Sequence, residues 1–240
     1  MVKTNPAWRA LSAEGKTANL PEEKTETAKP RIGVLAIQGD YDAHASALQD
    51  VGAEPLLVRK PEQLEGLDGL IIPGGESTTF LKFLERDGFL ESLRTFAAHT
   101  PTFGTCAGCI LLATKVLHPP QPSLGILDAT VERNAYGRQI DSSIEETATK
   151  LGSDFDIGPL ETVYIRAPRI QQVGKDVSVL AERDGFPVLV RQGHLLAATF
   201  HPELSTDRRV HRYFVNMVRE ARDSTPHSAP ESGHKPHRKS

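Results

Sequence analysis

The sequence predicts an α/β fold built on a doubly wound, mostly parallel sheet that is flanked by helices. Short apolar runs alternate along the chain with segments of helical periodicity. Each of the first runs is followed by a turn or a helical segment, as is typical of parallel strands joined by crossovers. In such sheets the ligand site lies beyond the carboxyl ends of the strands, so chemistry is expected in the segments that follow them.

The first elements show this alternation. Residues 32–37 form an apolar run that is predicted to be a buried strand. The next segment is predicted to be a helix that Gly52 ends, with apolar residues at helical spacing: Tyr41, Ala45, Leu48 and Val51. Further strands are predicted at Glu54–Val58, Gly69–Ile72 and Thr102–Thr105, followed by a helix at residues 109–113.

After Leu117 the chain becomes rich in proline and then in short β-like segments. The segments predicted to extend or flank the main sheet are residues 129–133, 162–166, 177–181 and 187–191. Residues 195–200 form another apolar strand that ends at His201. A final helix is predicted over residues 207–222, with four apolar residues on one face: Val210, Phe214, Met217 and Val218.

The two ends of the 240-residue chain differ in composition from its middle. Residues 1–30 mix Lys, Glu, Thr and Pro, and residues 223–240 are rich in Ser, Pro, His and Lys. Such segments bury too little apolar surface to offset the entropy of ordering, so we predict a flexible leader and a disordered tail around one domain, residues 31–222. The tail histidines lack regular ligand spacing, so no metal site is predicted on them: His227, His234 and His237.

Charge and cysteine content exclude several classes of protein. Lys and Arg number 28 against 31 Asp and Glu, without a basic stripe interleaved with aromatics, so nucleic acid is not the expected partner. The leader contains no apolar run long enough for a signal peptide or a membrane span, so no membrane association is expected. Cys106 and Cys109 are too close in sequence to cross-link a fold of this size, which favours a cytoplasmic protein.

Cys106 lies on the turn that follows the predicted strand Thr102–Thr105. Gly104 and Gly108 flank it, and small neighbours let the backbone bend sharply into the following helix, whose N-terminus favours a thiolate. This is the layout of a nucleophile elbow, although a buried structural cysteine accounts for the turn equally well. Cys106 and Cys109 also form a C-x-x-C pair, which raises a redox alternative, but Cys109 is interpreted as a buried packing residue.

A histidine and a carboxylate follow the predicted strand at residues 195–200, in the segment His201-Pro202-Glu203. Residues i and i+2 of an extended segment point to the same side, so Glu203 can accept a hydrogen bond from one imidazole nitrogen of His201. The other nitrogen can then face a thiol. A single histidine at a strand end is more often structural, but together with the cysteine turn this pair favours a catalytic interpretation.

A glycine-rich turn, residues 73–79, follows the predicted strand Gly69–Ile72. Its glycines let backbone N–H groups approach a ligand closely, and Ser77 or Thr78 is expected to cap the next helix. The turn lacks the lysine and the spacing of a Walker phosphate loop, so nucleotide binding is not favoured.

These three segments together resemble class I glutamine amidotransferases, in which a cysteine elbow and a His-x-Glu pair release ammonia from glutamine. Within that class, four segments are similar to the glutaminase subunit of pyridoxal 5'-phosphate synthase: Gly69-Leu-Ile-Ile-Pro-Gly-Gly-Glu-Ser-Thr-Thr79, Gly104-Thr-Cys-Ala-Gly108, Arg133-Asn-Ala-Tyr-Gly-Arg-Gln139 and Ile165-Arg-Ala-Pro168. The similarity runs over residues 31–222 and implies a flavodoxin-like class I glutamine amidotransferase fold.

The resemblance also implies the substrate contacts and the partner. It assigns L-glutamine binding to Gly75, Glu76, Ser77, Arg133, Ile165 and Arg166. We expect the oxyanions of the reaction to be held by backbone N–H groups of Ala107 and of the turn at Gly74 and Gly75. The ammonia is expected to pass to a β/α-barrel synthase subunit in a large hetero-oligomer, whose docking activates a nearly silent glutaminase. No cofactor is expected in the glutaminase itself.

Three rival interpretations remain open. A redox protein with an oxidisable elbow cysteine would not need His201 and Glu203. A catalytically inactive binding subunit is disfavoured because the cysteine, the histidine and the glutamate are all present. Another amidotransferase of the same class is disfavoured by the segments at residues 133–139 and 165–168.

Overall fold

The structure is a computed structural model that describes residues 28–85, 88–133, 135, 142–155 and 157–224. Residues 1–27 and 225–240 lie outside these ranges, so the flexible leader, the disordered tail and the three tail histidines stay predictions. The boundaries of the predicted domain at residues 31–222 likewise stay a prediction.

Twelve strands are present along the described ranges. In chain order they are β1 (Arg31–Leu35), β2 (Glu54–Val58), β3 (Gly69–Ile72), β4 (Thr102–Thr105), β5 (Ala113–Leu117), β6 (Leu127–Glu132), β7 (Ser142–Thr147), β8 (Leu160–Ile165), β9 (Arg169–Val173), β10 (Ser178–Arg183), β11 (Phe186–Gln192) and β12 (Leu195–Ala198). The α-helices over the same ranges are α1 (Tyr41–Asp50), α2 (Ser77–Leu84), α3 (Phe89–Ala97), α4 (Ala107–Leu112) and α5 (Arg209–Ser224).

The main sheet confirms the predicted doubly wound architecture. Its seven strands have the order β10-β11-β12-β4-β3-β1-β2. The block β2-β1-β3-β4-β12 is entirely parallel, which is the flavodoxin-like order with β12 in the place of the fifth strand. Strands β10 and β11 add an antiparallel edge. Because β3, β4 and β12 are neighbours, the three segments that follow them meet at one edge of the sheet.

The second half of the chain differs from the prediction in detail. Strands β6 and β8 occur near their predicted positions but belong to two smaller sheets, β5-β6-β9 and β7-β8. Strand β5 was not predicted. Its first residue, Ala113, continues the apolar run of α4, so the sequence pattern places it in the helix. Strand β7 was also missed, because its sequence SSIEET is polar and its side chains are mostly exposed.

Apolar side chains cover both faces of the main sheet. Neighbouring residues of β3 point to opposite faces, so Leu70 and Ile72 belong to one core cluster and Ile71 to the other. Helices α2, α3 and α4 pack in the first cluster, and α1 and α5 in the second. The buried residues of α1 are His44, Ala47 and Leu48, whereas Ala45 is half-buried.

None of the helices in the described part of the chain combines the length and the apolar character that crossing a membrane requires.

Candidate active site

Cys106 occupies a sharp turn between β4 and α4. Its backbone has φ 47° and ψ −102°, a conformation that costs a residue with a Cβ atom about 1–3 kcal/mol. The backbone N–H of Cys106 donates to the carbonyl of Ala198 at 2.9 Å, which ties the turn to β12. A Cβ atom on Gly108 would lie 2.0 Å from the carbonyl oxygen of Ile72, so only glycine lets α4 pack this closely on β3. The surrounding structure therefore imposes the elbow.

His201 and Glu203 form the predicted hydrogen bond, but the backbone between them has a different conformation from the one predicted. Nδ1 of His201 lies 2.7 Å from Oε1 of Glu203, and both side chains are almost fully buried. The prediction of an extended segment was wrong, because Pro202–Leu204 is a short 3-10 helix. The backbone N–H of His201 donates to the carbonyl of Val163 at 2.8 Å, which attaches the segment to β8.

The imidazole of His201 also interacts with the side chain of Cys106. Burial disfavours the charged imidazole, but the interactions with Cys106 and Glu203 outweigh it and raise the pKa of His201 to about 10. His201 therefore carries its proton at neutral pH, in an arrangement that suits an activated cysteine.

Cys109 has the packing role that the sequence indicated. It is fully buried in the apolar core around α4, and both cysteines are free thiols. Burial, with a smaller contribution from the charge of Cys106, raises the pKa of Cys109 to about 12. A thiol with this pKa is a poor resolving group in thiol–disulfide exchange, which disfavours the redox alternative.

The glycine-rich turn after β3 is held by Glu76 rather than by a hydroxyl cap. The Glu76 carboxylate accepts hydrogen bonds from the backbone N–H groups of Thr78 and Thr79, at 3.0 and 2.7 Å, and so caps α2. The expectation that Ser77 or Thr78 is the cap was wrong, since the Ser77 hydroxyl instead donates to Gln121. Hydrogen bonds from Thr79 and Thr78 lower the pKa of Glu76 to about 2, although burial acts in the opposite direction.

A cavity of about 120 Å³ opens beside Cys106. It is lined by Gly75, Glu76, Ser77, Cys106, Ile110, Arg133, Ile165 and Arg166. The structure thus brings together all six residues that the resemblance assigns to substrate binding, although their roles stay predictions. Gly74 and Ala107, assigned with Gly75 to the oxyanion hole, flank Cys106: a Cβ atom on Gly74 would lie 3.2 Å from the Cβ of Cys106, and Ala107 begins α4.

The two arginines of the cavity come from segments outside the main sheet. Arg133 follows β6, and its Nη2 atom donates to the Thr78 hydroxyl at 2.8 Å and lies 3.8 Å from Oε1 of Glu76. Its side chain is only 11% exposed, so it is an ordered part of the wall and not a solvated surface group. Arg166 follows β8 with φ 45°, a conformation uncommon outside glycine. Most of the segment after Arg133, residues 134 and 136–141, lies outside the described residues.

One group with the composition of a metal site occurs within the described ranges. Asp40, His201 and Glu203 each offer a potential ligand atom, and these atoms lie within 4.8 Å of one another. A metal ion there would compete with the hydrogen bond between His201 and Glu203, on which the cysteine arrangement depends. The geometry therefore fits proton transfer better than metal binding.

Three residues close to the site were not identified from the sequence. Ile110 lines the cavity from α4, and Gln38 donates from its Nε2 to the carbonyl of Glu76 at 2.6 Å. Gln38 follows β1, and so lies in one of the strand-end segments where chemistry was expected. His44 contacts Glu203 from α1. It lies three positions after Tyr41 and four before Leu48, so helical spacing alone places this polar residue on the buried face of α1, which could have marked it as a candidate.

The fold and the site define an α/β protein with a cysteine on a nucleophile elbow and with an imidazole and a carboxylate beside it, all at the carboxyl ends of the strands of a parallel sheet. Within this class the chain belongs to the SNO glutamine amidotransferase family, whose sequence model matches residues 34–220.

Individual relatives agree with this family. A protein named pyridoxal 5'-phosphate synthase subunit PdxT from Koribacter versatilis is 59% identical over 189 residues, covering 79% of this chain and 96% of that protein. A protein of the same name from Thermotoga maritima is 50% identical over 193 residues, covering 79% and 100%. A crystal structure described as a glutamine amidotransferase superposes with a TM-score of 0.72 at 47% identity, covering 78% of this chain and 98% of that one.

Proposed function

We propose that this chain is the glutaminase subunit of a pyridoxal 5'-phosphate synthase and that it hydrolyses L-glutamine to L-glutamate and ammonia. One observation carries the proposal: Cys106 lies at the wall of a cavity and interacts electrostatically with a buried, hydrogen-bonded His201–Glu203 pair. Membership of the SNO family and similarity to proteins named PdxT support glutamine as the substrate.

The charges around the cavity match the two charged groups on the α-carbon of an amino acid. Arg133 and Arg166 provide positive charge for the α-carboxylate of glutamine, and guanidinium groups suit carboxylates because they can donate two parallel hydrogen bonds. Glu76 provides negative charge for the α-ammonium group, since its oxygens can accept further hydrogen bonds while they cap α2. The side-chain amide then extends toward Cys106.

Catalysis begins when the sulfur of Cys106 attacks the side-chain amide carbon of glutamine. The tetrahedral oxyanion is held by backbone N–H groups of Ala107 and of the turn at Gly74 and Gly75, and losing one such donor typically costs about 10²–10³ in rate. His201, which already carries a proton at neutral pH, gives it to the departing nitrogen and so releases ammonia. A γ-glutamyl thioester remains on Cys106.

The second half of the reaction uses the same groups in reverse roles. Neutral His201 accepts a proton from a water molecule as that water attacks the thioester carbon. The carbon–sulfur bond breaks, glutamate leaves, and His201 and Cys106 return to their starting states. Glu203 stays hydrogen-bonded to His201 throughout and stabilises the imidazolium each time it forms.

The ammonia passes to a β/α-barrel synthase subunit, with which this chain forms a large hetero-oligomer in the cytoplasm. The word "subunit" in the names of the PdxT relatives supports a partner, and two free thiols support a reducing compartment. Docking is expected to activate the glutaminase by rearranging the turn at Gly74 and Gly75. In the present structure Gln38 holds that turn through the carbonyl of Glu76, so this hydrogen bond would have to change.

A coupled assay tests the proposal. Pyridoxal 5'-phosphate should form when this chain and the synthase subunit are mixed with glutamine, a pentose phosphate and a triose phosphate. Its absorbance measures the rate of product formation. Replacing glutamine with an ammonium salt should make this chain dispensable, which is the matched control. Product formed from glutamine by the synthase alone would contradict the proposal, and glutamate release at equal rates with and without the synthase would contradict activation by docking.

A further inference from the structure

A buried cluster of polar side chains lies behind the His201–Glu203 pair, away from the cavity. Its members are fully buried and come from three elements: His44 from α1, Thr105 from β4 and His211 from α5. Nε2 of His44 lies 3.2 Å from Oε2 of Glu203 and 3.2 Å from the hydroxyl oxygen of Thr105. Nδ1 of His44 lies 3.0 Å from Nε2 of His211.

Glu203 presents one oxygen to each of two histidines. Oε1 lies 2.7 Å from Nδ1 of His201, whereas Oε2 is buried and makes no aligned hydrogen bond among the described residues. His44 Nε2, at 3.2 Å, places a nitrogen within hydrogen-bonding distance of that second oxygen. A buried carboxylate oxygen without a donor costs about 1–3 kcal/mol or more, so the protonation of His44 decides whether Glu203 is stable in this position.

Both histidines of the cluster are neutral. Burial, and then unfavourable electrostatic interactions with His211 and His201, hold the pKa of His44 well below its usual value. Burial, and then the charge of Arg208, lower the pKa of His211 to about 3. Each ring therefore has one N–H group and one lone pair, and the distances above allow two tautomeric arrangements of the pair.

Only one of the two arrangements offers Glu203 a donor. If His44 carries its proton on Nε2, that N–H lies within reach of both Oε2 of Glu203 and the Thr105 hydroxyl, and Nδ1 of His44 accepts from the Nε2–H of His211. Nδ1 of His211, which is buried without a hydrogen-bond partner among the described residues, is then a lone pair and not an N–H group. The opposite arrangement would direct a lone pair of His44 at the carboxylate and leave a buried N–H on His211 unpaired.

We propose that His44 is a positioning residue of the glutaminase, whose Nε2–H holds Oε2 of Glu203 so that Oε1 stays directed at His201. Thr105 and His211 keep the His44 ring in place. Because Thr105 directly precedes Cys106, the cluster also connects β4, which carries the nucleophile, to Glu203. The inference rests on the proposed glutaminase function and adds a residue that does not touch the substrate. Removing such a partner typically costs about 10- to 100-fold in activity.

Two polar replacements separate this role from simple packing. In His44→Gln the side-chain amide reaches the position of Nε2 and keeps a donor for Glu203, whereas in His44→Asn it reaches only the position of Nδ1. We expect His44→Gln to keep most of the wild-type kcat, and His44→Asn and His44→Phe to lower kcat by about 10- to 100-fold with KM for glutamine unchanged. The alkaline limb of the pH profile of kcat should shift to lower pH in His44→Asn and His44→Phe, because a less firmly held Glu203 stabilises the charged form of His201 less.

The matched control is His194→Phe, which removes the hydrogen bond that a histidine in the turn between β11 and β12, at the opposite end of β12 from His201, makes to the carbonyl of Ala97. It should lower stability without a change in kcat or in the pH profile. Equal kcat values for His44→Gln and His44→Asn, or an unshifted alkaline limb in His44→Asn, would overturn the inference, even if His44→Phe does not fold. Absence of glutaminase activity in the wild-type complex would instead overturn the proposed function itself.

Discussion

Nδ1 of His201 lies 2.7 Å from Oε1 of Glu203, and neither side chain contributes to the lining of the cavity beside Cys106. A buried carboxylate at this distance fixes the orientation of the imidazole and stabilises its charged form. The charge of Glu203 is therefore expected to act on the reaction through His201 and not through contact with glutamine.

Glu203→Gln keeps the shape of the side chain and removes its charge. We expect kcat for glutamate release to fall by about 10²- to 10⁴-fold, with little change in KM, because the imidazolium loses its counter-charge and its tautomer is no longer fixed. Steady-state kinetics of the complex with the synthase measures both constants. Glu91→Gln, which removes an exposed carboxylate on α3, is the control and should behave as wild type. A large rise in KM with unchanged kcat would contradict the assignment.

The raised pKa of His201 predicts how stability depends on pH. The folded protein binds this proton more tightly than the unfolded chain, with a pKa raised from 6.5 to about 10. The stabilisation is therefore complete below pH 6.5 and is lost as the pH rises through about 10. Urea unfolding across this range should show a fall in the free energy of unfolding that is smaller in His201→Asn. Parallel curves for the two proteins would show that His201 is not the group responsible.

Gly74→Ala tests the close packing of the turn on His201. The new Cβ atom would lie 2.5 Å from Cε1 of His201, so the ring must move. A displacement of about 1 Å can cost 10²-fold in rate, and we expect a kcat loss of that order in a protein that still folds. Gly185→Ala, in the β10–β11 turn at φ 78° with open space around the new atom, should instead lower stability by about 1–2 kcal/mol and leave kcat unchanged. Wild-type kcat in Gly74→Ala would refute the packing argument.

Arg133→Ala tests the proposed contact with the substrate carboxylate. Removing one charged hydrogen-bond donor from the cavity should raise KM for glutamine by about 10- to 100-fold, the equivalent of roughly 1.5–3 kcal/mol. The effect on kcat should be smaller, because the carboxylate is remote from the reacting amide. Arg219→Ala, on the exposed face of α5, serves as the control. An unchanged KM would remove Arg133 from the substrate site.

The parallel half of the sheet could be predicted from the sequence almost residue by residue. Strands β2, β3 and β4 have the predicted bounds, and β2 and β3 are short runs rich in apolar residues. The cysteine elbow and the His201–Glu203 pair were also predictable, since each depends on residues close together in the chain. The six residues assigned to the cavity by family resemblance do line one cavity, but no local pattern indicated that Arg133 or Arg166 would lie there.

Contacts between distant elements could not be predicted in this way. His44 meets His211 across 167 residues of sequence, and this contact depends on how α1 and α5 pack on the same face of the sheet. Strand β7 has neither an apolar run nor a clear alternation, and it forms only because β8 provides hydrogen-bonding partners along its length. Both features arise from tertiary pairing, to which local propensity and periodicity are insensitive.

Glutamate release by two single cysteine variants tests whether Cys106 is the nucleophile. Cys106→Ala and Cys109→Ala each remove one sulfur from the same short segment, and only Cys106 lines the cavity. In complex with the synthase subunit, Cys106→Ala should release no glutamate above background while remaining folded, and Cys109→Ala should keep a kcat close to that of the wild type. Substantial glutaminase activity in folded Cys106→Ala would contradict the assignment of Cys106 as the nucleophile.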